Sequence, residues 1–332
     1  MFRIHVVNSV KGGCGKSTFS LFLADYLSRK KMNNVIIDLD ICGSSWFLGN
    51  EPFLEKKDKC CFLTDLILDY KGNITRDHVF KIKTGEDDDH PGPVIHVVMS
   101  DSKKAGIINE EEVDLFESAV LQLIKQFQSI TDYEYLKGQE ILESDDPVTD
   151  IILDMPPGYE IHSERILQHL LMDLNSELYS EYYGKDDSRS KYNGSHNKGY
   201  KVYLYMLSGV DQAKLRPNIQ YVEKLFNDLT YSTDISVLDQ ERVYYIINNV
   251  NAVNVTNPKT LIDNIKSSYF HATNTKVFYI PHINFIFSDE MVLELMGSNT
   301  KKDYLTIRLT DEAEEYSGIF DEIFLDTSIK KD

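Results

Sequence analysis

Three short segments hold residues whose types and spacing suit phosphate chemistry. The first is Lys11-Gly12-Gly13-Cys14-Gly15-Lys16-Ser17-Thr18. An apolar run, Ile4 to Val7, precedes it, and Phe19, Phe22, Leu23, Tyr26 and Leu27 follow at helical spacing. A strand, a glycine loop and a helix in that order are the context a phosphate-binding loop requires. Gly12, Gly13 and Gly15 let the backbone turn tightly and aim its N–H groups inward. The helix N-terminus behind them adds partial positive charge. Within the cradle running from Gly12 to Thr18, Lys16 is placed to reach the β- and γ-phosphates of a nucleotide. The Ser17 hydroxyl is placed to ligate Mg²⁺.

The second segment follows the apolar run Val35-Ile36-Ile37 and reads Asp38-Leu39-Asp40-Ile41-Cys42-Gly43-Ser44-Ser45. In an open α/β sheet, ligands bind beyond the carboxyl ends of strands. Alternation puts Asp38 and Asp40 on one side of the strand if it continues that far. Beside a metal–phosphate site, one carboxylate can orient metal-bound water and the other can position an attacking water. The third segment, Ile151-Ile152-Leu153-Asp154-Met155-Pro156-Pro157-Gly158, is an apolar strand ending in an acid and then a stiff loop with one hinge. Asp154 would hold Mg²⁺ through a water and so accompany Ser17.

The loop departs from the general phosphate-binding pattern by opening on Lys11. That gives K-G-G-x-G-K-[ST], the deviant Walker A sequence, and with D-x-D-x-x-G and D-x-P-P-G it resembles the ParA/MinD/Mrp superfamily of dimeric ATPases. The resemblance implies ATP and Mg²⁺ as cofactors, and catalytic roles for Lys11, Lys16 and Asp40. Lys11 would cross a homodimer interface to the partner's nucleotide, and Asp40 would position the hydrolytic water. Asp38 would support Asp40 near Mg²⁺, which Ser17 and Asp154 also serve. The resemblance further implies that Asn248 or Asn249, after the apolar run Val243 to Ile247, recognises adenine. Pro281 would flank the base. Hydrolysis would be slow and partner-stimulated, and ATP would hold a homodimer that signals its nucleotide state to a protein adaptor in positioning, partitioning or regulation.

Two other readings fit parts of the pattern. The wording D-x-D-I-C-G-x-S is closest to the Mrp branch and suggests an iron–sulfur carrier, but the chain has no Cys-x-x-Cys pair. A kinase of the bacterial tyrosine kinase type is suggested by Tyr179, Tyr182 and Tyr183, although such clusters usually lie at the C-terminus.

Positioning these segments takes an α/β, doubly wound, mostly parallel sheet with helices on both faces. Apolar runs near 3–9, 35–40, 94–100, 151–155, 202–207, 243–248 and 276–281 supply seven strands separated by helical stretches. Helices are expected over 62–70, 110–135 and 311–325. Glu86 to Pro93 reads as a turn or mobile loop. The whole of 1–332 reads as one domain, with 175–200 a flexible polar insertion. The acidic C-terminal helix is expected to pack on the domain and not on a membrane.

Composition narrows the partners. With 35 basic and 53 acidic side chains the net charge is −18, which argues against direct binding of nucleic acid. Cys14, Cys42, Cys60 and Cys61 read as free thiols of a reducing cytoplasm. The N-terminus is not patterned as a signal peptide, and no apolar run reaches the length of a membrane span.

Overall fold

The computed structural model describes residues 2–40, 63, 78–85, 91–98, 113–129, 148–158, 161–173, 200–210, 212–233, 243–250, 257–270, 276–281, 305–307 and 313–326. Outside them lie the segment after Asp40, the expected helix 62–70 apart from Leu63, and the expected insertion apart from Tyr200.

The seven anticipated strands are all present: β1 (Phe2–Asn8), β2 (Asn34–Asp38), β4 (Pro91–Val98), β5 (Asp150–Asp154), β6 (Tyr200–Ser208), β7 (Val243–Val250) and β8 (Lys276–Pro281). They run parallel to one another. Two further strands, β3 (Phe80–Gly85) and β9 (Leu305–Ile307), extend the sheet beyond β4. β3 is antiparallel to β4 and parallel to β9, so the order is β8-β7-β6-β1-β5-β2-β4-β3-β9. Of the expected turn at Glu86 to Pro93, Glu86 to His90 lie outside the described residues, and the part from Pro91 to Pro93 is corrected: these three residues open β4. Prolines are tolerated there because β4 pairs with β2 only from His96 onward, so these residues have a single sheet neighbour.

The described helices are α1 (Lys16–Arg29), α2 (Val113–Ser129), α3 (Ile161–Asp173), α4 (Gln212–Thr233), α5 (Pro258–Tyr269) and α6 (Ala313–Asp326). Period-two alternation splits the core into two layers. Ile4, Ile37, Ile151, Val202 and Leu204 face α2, α3, α4 and α5 through Phe116, Ile166, Leu215 and Ile265. Ile36, Ile152, Tyr203 and Tyr205 face α1 and α6 through Phe19, Leu23, Phe320 and Ile323. Strands buried on both faces explain the unbroken apolar runs in the sequence.

Helix α6 lies on α1. Phe320 sits 5.3 Å from the Phe19 ring and 5.2 Å from that of Tyr26. The Tyr26 hydroxyl donates to Asp321 at 2.6 Å, and Lys30 pairs with the same carboxylate at 3.0 Å. The described apolar side chains Phe320, Ile323 and Phe324 of this helix are thus buried in packing on the domain. No helix among the described residues is long and apolar enough to cross a membrane.

At the amino ends of the central strands a buried ionic cluster ties β1 to β5. Arg3 donates to both oxygens of Asp150 at 2.6 Å, and His5 Nε2 donates to Oδ1 at 2.8 Å. That leaves His5 Nδ1 to accept from the Tyr205 hydroxyl at 3.1 Å. Burial pushes the His5 pKa down and keeps it neutral. Burial would raise Asp150, but its bonds from His5 and Arg3 outweigh this and hold its carboxylate below the usual range.

Candidate nucleotide site

β1 lies between β6 and β5, with β2 beyond β5, so the chain leaves the carboxyl end of β1 where the strand order reverses. Crevices form at such switch points. The loop from Ser9 to Gly15 fills this one. Gly13 and Gly15 have φ of 71° and 79°, the left-handed region that a side chain resists. Gly15 is further constrained, because a Cβ there would collide with the amide of Asn248.

Helix α1 starts at Lys16 with Gly15 as its N-cap, and Gly15 has no side chain to cap the first turn. The first backbone bond into the helix runs from Phe19 N to Gly15 O at 2.9 Å. The N–H groups of Lys16, Ser17 and Thr18 therefore have no partner within the helix, the arrangement that receives anions.

Parallel pairing brings the acids to this loop. Asp38 and Asp154 are register partners at the ends of β2 and β5, and Val7 of β1 is the partner of Asp154 on its other side. Alternation turns both carboxylates to the α1 face. Asp40 lies beyond the end of β2, its N–H donating to Asp38 Oδ1 at 3.1 Å. Its own carboxylate is 3.7 Å from Lys16 Nζ. Lys16 and Asp40 are only 6% and 7% exposed. Ser17 and Thr18 are half-buried, and Lys11, Gly12 and Gly13 are exposed.

Asp154 is fully buried, and neither of its oxygens meets a donor at hydrogen-bonding geometry. Burial pushes its pKa up to about 7; the nearby Ser17 hydroxyl and Lys16 ammonium offset this in part, and Asp40 adds to it. A buried carboxylate left this way is costly. It is the donor type a hard divalent cation requires, set beside a hydroxyl and a second acid. The residues present therefore fit Mg²⁺ with a phosphate ligand.

The loop is braced from three sides. Gly158 N donates to Ser9 O at 3.1 Å, and Gly12 faces Pro157, so the loop after Asp154 abuts the glycine loop. Asn248, half-buried at the end of β7, donates from Nδ2 to Cys14 O at 2.8 Å. Asn218 of α4 accepts from Val10 N at 2.8 Å and donates to Leu207 O at 2.7 Å. The sequence reading missed Asn218. Its signal was a polar residue inside the buried stripe Leu215, Ile219, Val222 and Leu225 of α4.

The structure thus brings Lys16, Ser17, Asp38, Asp40 and Asp154 together, with Asn248 against the loop. Asn249 lies in β7 and Pro281 ends β8, opposite Val250, but their side chains are outside the described set. Cys14 is a buried free thiol packed in the α1 layer of the core.

Comparison with known proteins bears on the fold. The family model for ParA, described as NUBPL iron-transfer P-loop NTPase, matches residues 2–50. No curated protein matches the chain. Among solved structures, the chain is similar to the Pyrococcus furiosus cell division ATPase MinD, at 14% identity over 98% of this chain and 99% of that one, with a TM-score of 0.53. The Cyanothece McdA–ATP complex is 14% identical over 99% and 98% of the two chains, with a TM-score of 0.53. A Borrelia burgdorferi plasmid partition protein bound to AMPPNP is 16% identical over 98% and 99%, with a TM-score of 0.51. The fold is the one shared by these MinD, McdA and partition-protein structures. At identities this low the likeness is one of architecture.

Proposed function

We propose that this protein binds and hydrolyses Mg-ATP, homodimerises around ATP, and acts as a nucleotide-state switch in positioning, partitioning or regulation. The observation that carries the reading is the buried, unpartnered carboxylate of Asp154 beside Ser17 and Lys16, at the foot of an uncapped glycine-loop helix. Neighbours of the same fold are described as holding ATP or its analogue AMPPNP, which favours ATP as the ligand.

Each residue then has a task. The N–H groups from Gly12 to Thr18 receive phosphate oxygens, and Lys16 adds a positive charge among them. Ser17 and Asp154 would hold Mg²⁺, with Asp38 behind them. Bound there, the cation neutralises developing charge on the phosphates. Asp40 orients the attacking water. Lys11, exposed at the start of the loop, is free to reach a second subunit. Asn248 or Asn249, near the end of β7, would recognise a base that Pro281, at the end of the neighbouring β8, flanks. Contact between the loop after Asp154 and the glycine loop gives phosphate occupancy a route to the surface and to an adaptor. With a net charge of −18, that adaptor is a protein and not bare DNA.

Sedimentation tests this reading. Wild type should dimerise with a non-hydrolysable ATP analogue and not with ADP, and Lys11→Ala should stay monomeric with both. A Lys11→Ala dimer contradicts the role given to that lysine. Asp40→Ala should dimerise but turn over poorly.

One further reading has specific support. The matched family model is described by iron transfer, and the segment after Asp38 has Mrp-like wording. An iron-reconstitution spectrum showing a bound cluster would favour carriage of iron–sulfur clusters over the switch.

A further inference from the structure

The β1–β6 ladder ends at Asn8 and Met206. Beyond that pair the strands part, and β1 runs into the glycine loop. The side chain of Asn218 enters the gap: its oxygen takes the N–H of Val10 and its nitrogen gives to the carbonyl of Leu207. A carboxamide has the same donor and acceptor as a peptide group, so here it stands in for a missing rung. The side chain is 1% exposed and comes from the buried stripe of α4, immediately after Pro217 within that helix. Its position is therefore fixed by packing and not by the loop it holds.

The peptide it grips is the Ser9–Val10 unit, one residue ahead of Lys11. Ser9, fully buried, completes the hold by donating its hydroxyl to Lys11 O at 2.8 Å, and Gly158 N fixes Ser9 O. The backbone at Lys11 is thus pinned, while its side chain is exposed. Lys16, in contrast, is set by α1 and touches none of these contacts.

We propose that Asn218 is a positioning residue that aims Lys11, acting on the intersubunit lysine and not on the phosphate cradle of its own subunit. The inference rests on the dimeric switch proposed above. It predicts a split that general loss of stability does not produce: Asn218→Ala weakens assembly of the triphosphate-bound dimer while monomer affinity for ADP is kept.

The test uses the full chain and two readouts. In sedimentation with a non-hydrolysable ATP analogue, Asn218→Ala should raise the dimer dissociation constant about tenfold, the scale of one lost buried hydrogen bond. ADP affinity measured on the same sample should stay within about threefold. Ser9→Ala, which leaves α4 intact, should show the same split, so a folding defect in one variant does not decide the matter. Equal losses for ADP and for dimerisation, or no loss of either, overturn the proposal. The second readout is amide hydrogen exchange without nucleotide. Asn218→Ala should speed exchange at Val10 and Lys11 and leave β5 unchanged, and unchanged exchange at Val10 overturns the proposal whether or not the protein dimerises. If wild type stays monomeric with the triphosphate analogue, the switch reading fails separately, and exchange alone decides whether Asn218 holds the Lys11 segment.

Discussion

Replacing Asp154 by Asn should stabilise the protein without nucleotide while removing its response to Mg-ATP. The carboxylate is buried with neither oxygen in a well-formed hydrogen bond, and burial lifts its pKa from 3.8 to about 7 despite the nearby Ser17 hydroxyl and Lys16 ammonium. A carboxyl whose folded pKa lies above its unfolded value opposes folding once it ionises. The penalty is absent below the unfolded pKa near 4, grows as pH rises, and is complete above the folded pKa near 7. The span from about 4 to about 7, at about 1.4 kcal/mol per pH unit, sets the full penalty near 4 kcal/mol. Asn has nearly the same shape and no charge. Urea denaturation should therefore show Asp154→Asn more stable than wild type by up to ~4 kcal/mol at pH 8, the gap closing towards pH 4. Mg-ATP should raise the midpoint of wild type and leave the variant unmoved. A variant that is no more stable at pH 8, or a gap independent of pH, would refute the idea that this carboxylate is held at a cost to stability for the sake of a ligand.

Other sites give further expectations. Gly15→Ala combines left-handed backbone, about 1–2 kcal/mol, with loss of the Asn248 bond to Cys14 O, about 1–3 kcal/mol. Urea midpoints should show roughly the sum, and a loss under about 1 kcal/mol would mean the loop relaxes freely. Phe320→Ala empties a fully buried site between Phe19 and Tyr26 and should cost about 3–5 kcal/mol in the same assay. Little change there would show that α6 does not brace α1. The depressed pKa of Asp150 has the opposite sign to that of Asp154: its stabilisation is present above the usual carboxylate range and is lost as pH falls through its folded pKa. Acid titration should thus unfold wild type steeply at low pH. Asp150→Asn should already be weaker near neutrality by about 3–5 kcal/mol, because Arg3 keeps a buried charge with its pairing broken.

Much of the site was legible because its chemistry sits on strands buried on both faces. Such strands read as unbroken apolar runs, and the acids at their ends stand out against them, as Asp38 and Asp154 do. What was missed did not follow that rule. β3, Phe80–Gly85, alternates Phe and Ile with Lys and is antiparallel, and β9 is three residues long. Pro91 and Pro93 carried a turn signal that the one-neighbour start of β4 overrides. Asn218 acts across 208 residues of sequence on Val10, and only the packing of α4 on the sheet brings the two together. Asn248 was read for its amide facing a base. That its nitrogen holds Cys14 O follows from the close approach of β7 to Gly15, which no local spacing encodes.

Calorimetric titration of the purified full chain with ATP in the presence of Mg²⁺ tests the central claim most directly. Wild type should bind a single ATP per chain saturably, and Lys16→Ala, with its fold verified, should show no binding. Absence of binding by wild type, or binding undiminished in Lys16→Ala, would contradict the assignment of this glycine loop and its buried acids as a nucleotide site.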